Sequence, residues 1–121
     1  MSNVVNLLFI GDILAKPGRE ITRRALPHLV RTRNVDLVIA NVENAAGGNG
    51  ITRDVAENLR DYGVQVMTTG NHVWDKKEAL EYIKNEPRLL RPANYPDGVP
   101  ERGRYVAQTT KGIAVGIVNV N

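Results

Sequence analysis

The sequence contains no cysteine, which excludes disulfides and thiolate metal sites and makes the cytoplasm the expected location. Aromatic residues make up only 5% of the chain and are not interleaved with basic ones. That leaves no stacking surface for single-stranded nucleic acid, and no stable nucleic-acid partner is expected. No apolar run approaches the ~18 residues of a membrane span, so no membrane partner is expected either. The opening Met1-Ser2-Asn3 carries neither a basic n-region nor a small-residue cleavage site, and a secretory signal is not expected. Only two histidines are present, His28 and His72, and no Ser-His-Asp set can be argued from them. Gly47-Gly48-Asn49-Gly50 is not followed by Lys-Ser or Lys-Thr, which excludes a Walker A loop. The segment Gly11 to Gly18 does not fit G-x-G-x-x-G, so a Rossmann cofactor site gains no support.

The composition that remains is that of an ordinary globular chain, with 42% hydrophobic and 24% charged residues among 121. This length suits one domain, residues 1–121. Sixteen basic residues against 13 acidic ones give a net charge of +3. Such an excess suits an anionic substrate and falls short of a nucleic-acid footprint.

Three short apolar runs follow one another: Val4 to Ile10, Val35 to Ala40 and Val64 to Thr69. Each is rich in β-branched residues and ends in Gly, Asn or Asp, the reading of strands buried on both faces of a parallel sheet. Between them, Gly18 to Arg33 sets Ile21, Ala25, Leu29 and Val30 at helical spacing, with Pro27 predicting a kink or a second short helix. Thr52 or Asp54 is the expected cap of a second helix that carries Val55, Leu59 and Tyr62 and stops at Gly63. A third helix is expected from Asp75 to about Lys84, with Ala79, Leu80 and Ile83 inward, ended by Pro87. From Arg88 to Arg104 the prolines and glycines predict a long irregular loop. Two strands around Thr110-Lys111-Gly112 then form a hairpin. The pattern is α/β: β-α-β-α-β-α, then a β-hairpin.

In a parallel sheet, ligands bind outside the carboxyl ends of the strands. The three strands end there in Asp12, in Glu43-Asn44 and in Asn71-His72, spaced by about one βαβ unit of ~30 residues. Carboxylate, amide carbonyl and imidazole together suit Mn, Fe, Zn or Mg. Each group alone has a plain explanation as a turn or cap residue. Three consecutive strand ends furnished in this way favour a functional reading. His28, beside Pro27 in a basic helix, reads as a surface residue, and Trp74 as a packing residue under the loop that carries His72.

These residues, with Lys16-Pro17-Gly18-Arg19, Ala45-Ala46-Gly47-Gly48, Thr69-Gly70-Asn71-His72-Val73-Trp74-Asp75 and Arg91-Pro92-Ala93-Asn94-Tyr95-Pro96, resemble the YmdB-like branch of the calcineurin-like metallophosphoesterases. The resemblance implies that family's α/β sandwich of two sheets flanked by helices. It also implies a phosphodiesterase acting on cyclic nucleotides or related phosphodiesters through two divalent metal ions, Fe or Mn foremost, Zn or Mg otherwise. On its terms, Asp12 and Asn44 bind the first metal, Glu43 bridges both and Asn71 binds the second. His72 is the general acid. Family members are longer, and their second half adds three metal-binding histidines, two of them in a Gly-His-x-His motif. No histidine follows His72 here. The expectation is therefore the N-terminal portion of such an enzyme, a partial domain whose dinuclear site is incomplete. It would form a homo-oligomer or associate with a C-terminal half. A non-catalytic metal- or phosphate-binding module of the same fold, and a flavodoxin-like nucleotide-binding domain, are the competing readings.

Overall fold

The computed structural model describes residues 4–72, 77–94 and 103–120. Strands β1 (Leu7–Ile10), β2 (Leu37–Asn41) and β3 (Val66–Thr68) lie side by side, all parallel, in the order β1-β2-β3. Helix α1 (Ala15–Thr32) connects the first pair and α2 (Arg53–Tyr62) the second, while α3 (Lys77–Asn85) follows β3. Strands β4 (Arg104–Gln108) and β5 (Ala114–Val118) form a separate antiparallel pair, the expected hairpin. The expected start of the third helix at Asp75, and residues 95–102 of the proline-rich loop, lie outside the described residues.

Strand alternation builds two cores from one sheet. Val38, Ala40 and Met67 face the helices and pack with Leu26, Ala56, Leu59, Ala79 and Ile83. Leu37, Ile39 and Val66 point to the other side, where Ala107 and Ile117 of the hairpin cover them. This is the period of two that a sheet buried on both faces requires. β2 and β3 meet that expectation along their length.

β1 does not. Leu8 and Ile10 pack against the helices, yet Leu7 and Phe9 remain 52% and 59% exposed. They lie opposite Leu37 and Ile39 in the register. Among the described residues, the hairpin side chains that pack on this face, Tyr105, Ala107, Val115 and Ile117, cluster with β2 and β3. A further parallel contact, Leu89 beside Met67, extends the opposite edge within what the sequence reads as loop. Met67 N donates to Arg88 O at 2.8 Å and Leu90 N to Met67 O at 2.9 Å, so these residues satisfy the edge that β3 would otherwise leave open.

Helix α1 also departs from expectation. It runs unbroken through Pro27, which lies on the exposed face, where water can replace the missing N–H. Its buried residues are Thr22 and Leu26, whereas Ile21 points to solvent. The inward stripe is therefore rotated by about one residue, with Ala25, Leu29 and Val30 half-buried at its margins. Thr22 is accommodated because its Oγ1 donates to Gly18 O at 2.8 Å. α2 follows its signals: the Thr52 hydroxyl accepts from Val55 N at 3.3 Å, and Gly63, with φ at 121°, ends the helix.

Candidate functional site

The crossover topology brings three strand-end loops to one edge of the sheet. Asp12 stands just past β1 and is exposed, Glu43 and Asn44 occupy a turn directly after β2, and Asn71 and His72 lie in 3₁₀ conformation after β3. Backbone bonds draw these loops together. Ile13 N donates to Asn41 O at 3.2 Å, Ala15 N to Asn44 O at 3.0 Å and Val42 N to Thr68 O at 2.9 Å.

The side chains then meet. Asn44 Nδ2 donates to both oxygens of Asp12, at 3.1 Å each, joining residues 32 apart in sequence. Asn41 Nδ2 approaches Glu43 Oε1 at 3.3 Å, and the backbone N–H of His72 approaches Glu43 Oε2 at 3.5 Å. Two contact sets therefore result, one tying the β1 end to the β2 end and one tying the β2 end to the β3 end. Glu43 follows the middle strand, and its carboxylate lies between Asn41 and the backbone N–H of His72. Asn71 is exposed on the same turn as His72. Trp74 and Asp75 lie outside the described residues. His28 is exposed on α1, as a surface residue would be.

Three supporting residues have roles that the sequence did not assign, although Gly70 and Arg19 stand in the stretches that carry the resemblance. A Cβ at Gly70 would stand 2.5 and 2.6 Å from the two oxygens of Glu43, so that carboxylate is laid against bare backbone. Asn119, buried beyond the end of β5, donates through Nδ2 to Thr69 O at 2.9 Å and to Leu90 O at 3.1 Å. It fixes the strand end that leads into Gly70-Asn71-His72. Arg19 Nη1 donates to Ala45 O at 2.6 Å, immediately after the Glu43-Asn44 pair. The glycine was visible as a residue beside Asn71, but the closeness of Glu43 is a tertiary fact. Asn119 and Arg19 act on backbone carbonyls, which no side-chain motif reveals.

A cavity lies elsewhere. About 550 Å³ in volume, it is bordered by Leu37 and Val66 at the amino ends of their strands, by Arg60 and Asp61 of α2 and by Tyr105 of β4. None of the strand-end residues lines it.

The model of the family described as YmdB-like protein matches residues 8–121. The chain belongs to the YmdB-like family. Over 112 residues this YmdB-like chain is 41% identical to a 2′,3′-cyclic-nucleotide 2′-phosphodiesterase of Bacillus subtilis, covering 92% of the chain and 42% of that protein. Its fold superposes on the crystal structure of a novel phosphatase from Mycoplasma pneumoniae with a TM-score of 0.89 at 33% identity, covering 99% of the chain and 44% of the other. A hypothetical protein from Thermus thermophilus is similar too, with a TM-score of 0.86 and 42% identity over 94% of the chain and 44% of its own. The fold is the calcineurin-like α/β arrangement, and the YmdB-like chain spans less than half the length of these relatives.

The donor chemistry at the strand ends fits hard divalent cations. Asp12, Glu43 and the amides of Asn44 and Asn71 are oxygen donors, and the Asn44 amide turned end for end sets its Oδ1 beside the Asp12 carboxylate. Among the described residues no three of His, Asp and Glu group closely enough to hold a metal unaided. The fit is that of part of a ligand set.

Proposed function

We propose that this chain provides one half of a metal-dependent phosphodiesterase site, for cyclic nucleotides or related phosphodiesters. The observation that carries the reading is the convergence of Asp12, Glu43-Asn44 and Asn71-His72 on one sheet edge, with Asn44 bonded to Asp12 and Glu43 next to the backbone of His72. A 2′,3′-cyclic-nucleotide 2′-phosphodiesterase among the relatives supports the substrate class.

Asp12 and Asn44 would hold one cation, Asn71 would hold a second, and Glu43 would contact both. Fe or Mn suits this donor set, with Zn or Mg as alternatives. Divalent cations supply charge neutralisation at the phosphate and acidify water. The protein's own part is to orient the donors and deliver a proton. His72 would donate to the alkoxide oxygen as the P–O bond breaks, a general-acid task that imidazole commonly performs. The remaining ligands would come from polypeptide beyond these residues, either more of the same chain or a second copy.

A second reading, a non-catalytic metal- or phosphate-binding module, is favoured by the absence of a self-sufficient ligand cluster among the described residues. Mn²⁺ titration of the chain by calorimetry, with Asp12→Asn and Glu43→Gln alongside, tests the site. Each variant is expected to weaken Mn²⁺ binding at least ~10-fold, the scale for loss of a charged ligand. Wild-type affinity in both variants would sink the assignment. Hydrolysis of 2′,3′-cyclic AMP by the chain with the C-terminal part of a relative supplied separates enzyme from module.

A further inference from the structure

Helix α1 grips the Glu43–Ala46 turn at two successive carbonyls. Ala15 N donates to Asn44 O at 3.0 Å, and Arg19 Nη1 donates to Ala45 O at 2.6 Å. The second bond is short for N–H···O and charge-assisted. The first is made by a residue held at φ 51°, a left-handed conformation uncommon for alanine. The helix reaches the turn because Gly18 lets Ile13 lie close: a Cβ there would meet Ile13 Cγ2 at 3.1 Å. Arg19 is half-buried at this junction.

The consequence follows from the geometry of a peptide chain. Fixing the carbonyls of Asn44 and Ala45 fixes the peptide planes on both sides of Ala45 and so narrows the directions open to the Asn44 side chain. That side chain is the one that lies on both oxygens of Asp12. We propose that Arg19 is a positioning residue, whose guanidinium holds the turn after β2 so that the Asn44 amide stays against the Asp12 carboxylate. Its partner is a main-chain oxygen, so it acts on the site through the backbone and needs no contact with substrate. This proposal rests on the site reading above, and the two can fail separately.

NMR on the 121-residue chain decides it. The Asn44 side-chain amide signals are compared with and without Asp12→Ala, in wild type, Arg19→Met, Arg19→Lys and the exposed control Arg23→Met. In the wild type the Asn44 NH₂ signals are expected to shift when Asp12→Ala removes their acceptor. In Arg19→Met that response should fall to less than half, with the β2 and β3 amide spectrum kept. Arg19→Lys should restore most of it, and Arg23→Met should leave it intact. An unchanged response in Arg19→Met, or none in the wild type, overturns the proposal. A second readout needs no variant: the Arg19 Nη resonances of the wild type should show hindered rotation, and free rotation like that of Arg23 would also overturn it, even if Arg19→Met did not fold. Paramagnetic broadening by added Mn²⁺ is recorded in parallel. Its absence at Asp12, Glu43 and Asn44 would sink the metal-site reading and leave the Asn44–Asp12 result to decide the role of Arg19.

Discussion

Gly70 shows how a single missing Cβ can serve a site more than a fold. Its φ is not in the left-handed region, so the requirement comes from space: the Glu43 carboxylate occupies the volume a methyl would need. A carboxylate is the movable end of a long side chain. Gly70→Ala should therefore displace Glu43 at little expense to stability, with a change in unfolding free energy within about 1 kcal/mol, the range of ordinary single substitutions. Mn²⁺ binding should nonetheless drop as far as in Glu43→Gln. Urea unfolding and calorimetry on the same sample check both halves, and a large loss of stability with intact Mn²⁺ binding would refute the argument. The residues that bear oxygen donors were legible in the sequence because strand ends in a parallel sheet converge by topology. The residue that makes room for them was not, since its role depends on where a side chain 27 positions away comes to rest.

The elements are held together by polar ties as well as apolar layers. Glu86, after α3, is buried and accepts from Arg60 of α2 at 2.7 Å and from the Arg88 side chain at 3.1 and 3.2 Å. Burial pushes its carboxyl up, but the Arg88 side-chain and backbone bonds and the charges of Arg88 and Arg60 outweigh it and hold it below its ordinary value. A carboxylate depressed in this way stabilises the fold in full above its unfolded value near ~4.3, and the contribution is lost as pH falls through the lower, folded value. Glu86→Gln should thus cost about 2 kcal/mol at neutral pH, the scale of hydrogen bonds to charged groups. The gap to wild type should narrow as pH falls below about 4. Thermal unfolding from about pH 3 to 7 reads this directly, and a gap constant with pH would contradict it. Asp36, whose carboxyl is also lowered by the Asn6 N–H and by Lys111, titrates in both proteins and cancels in the difference. At this scale the sequence was a good guide where local chemistry decides, as at Thr52 and Gly63. It misled where packing decides: the apolar spacing in α1 includes Ile21, which faces water, because contact with the sheet selects Thr22 and Leu26 instead.

For the molecule as a whole, the two sheets are unequal. Leu7 and Phe9 lie on the face of the parallel sheet that the hairpin covers at β2 and β3, and they are left bare at β1. Val106 and Val118, on the outward side of the hairpin, are exposed as well, at 61% and 64%. A sandwich normally buries inner-face residues such as Leu7 and Phe9, and contiguous apolar surface on a folded domain marks a contact site. The relatives carry more than half of their length beyond the matched part, so polypeptide is available in them to cover these faces. Offered alone, the 121-residue chain should self-associate through them. Sedimentation velocity at rising concentration is expected to show species larger than a monomer, and Leu7→Lys with Phe9→Lys should shift the distribution toward monomer. Because Leu7 and Phe9 are already half exposed, the double variant should leave the melting temperature of the monomer within a few degrees of wild type. Addition of the C-terminal part of a relative should suppress self-association in the wild type by occupying the same surface. A wild-type chain that stays monomeric at high concentration would mean that the bare face is tolerated, and the ligands that would complete the proposed site would then have to come from further chain and not from a second copy.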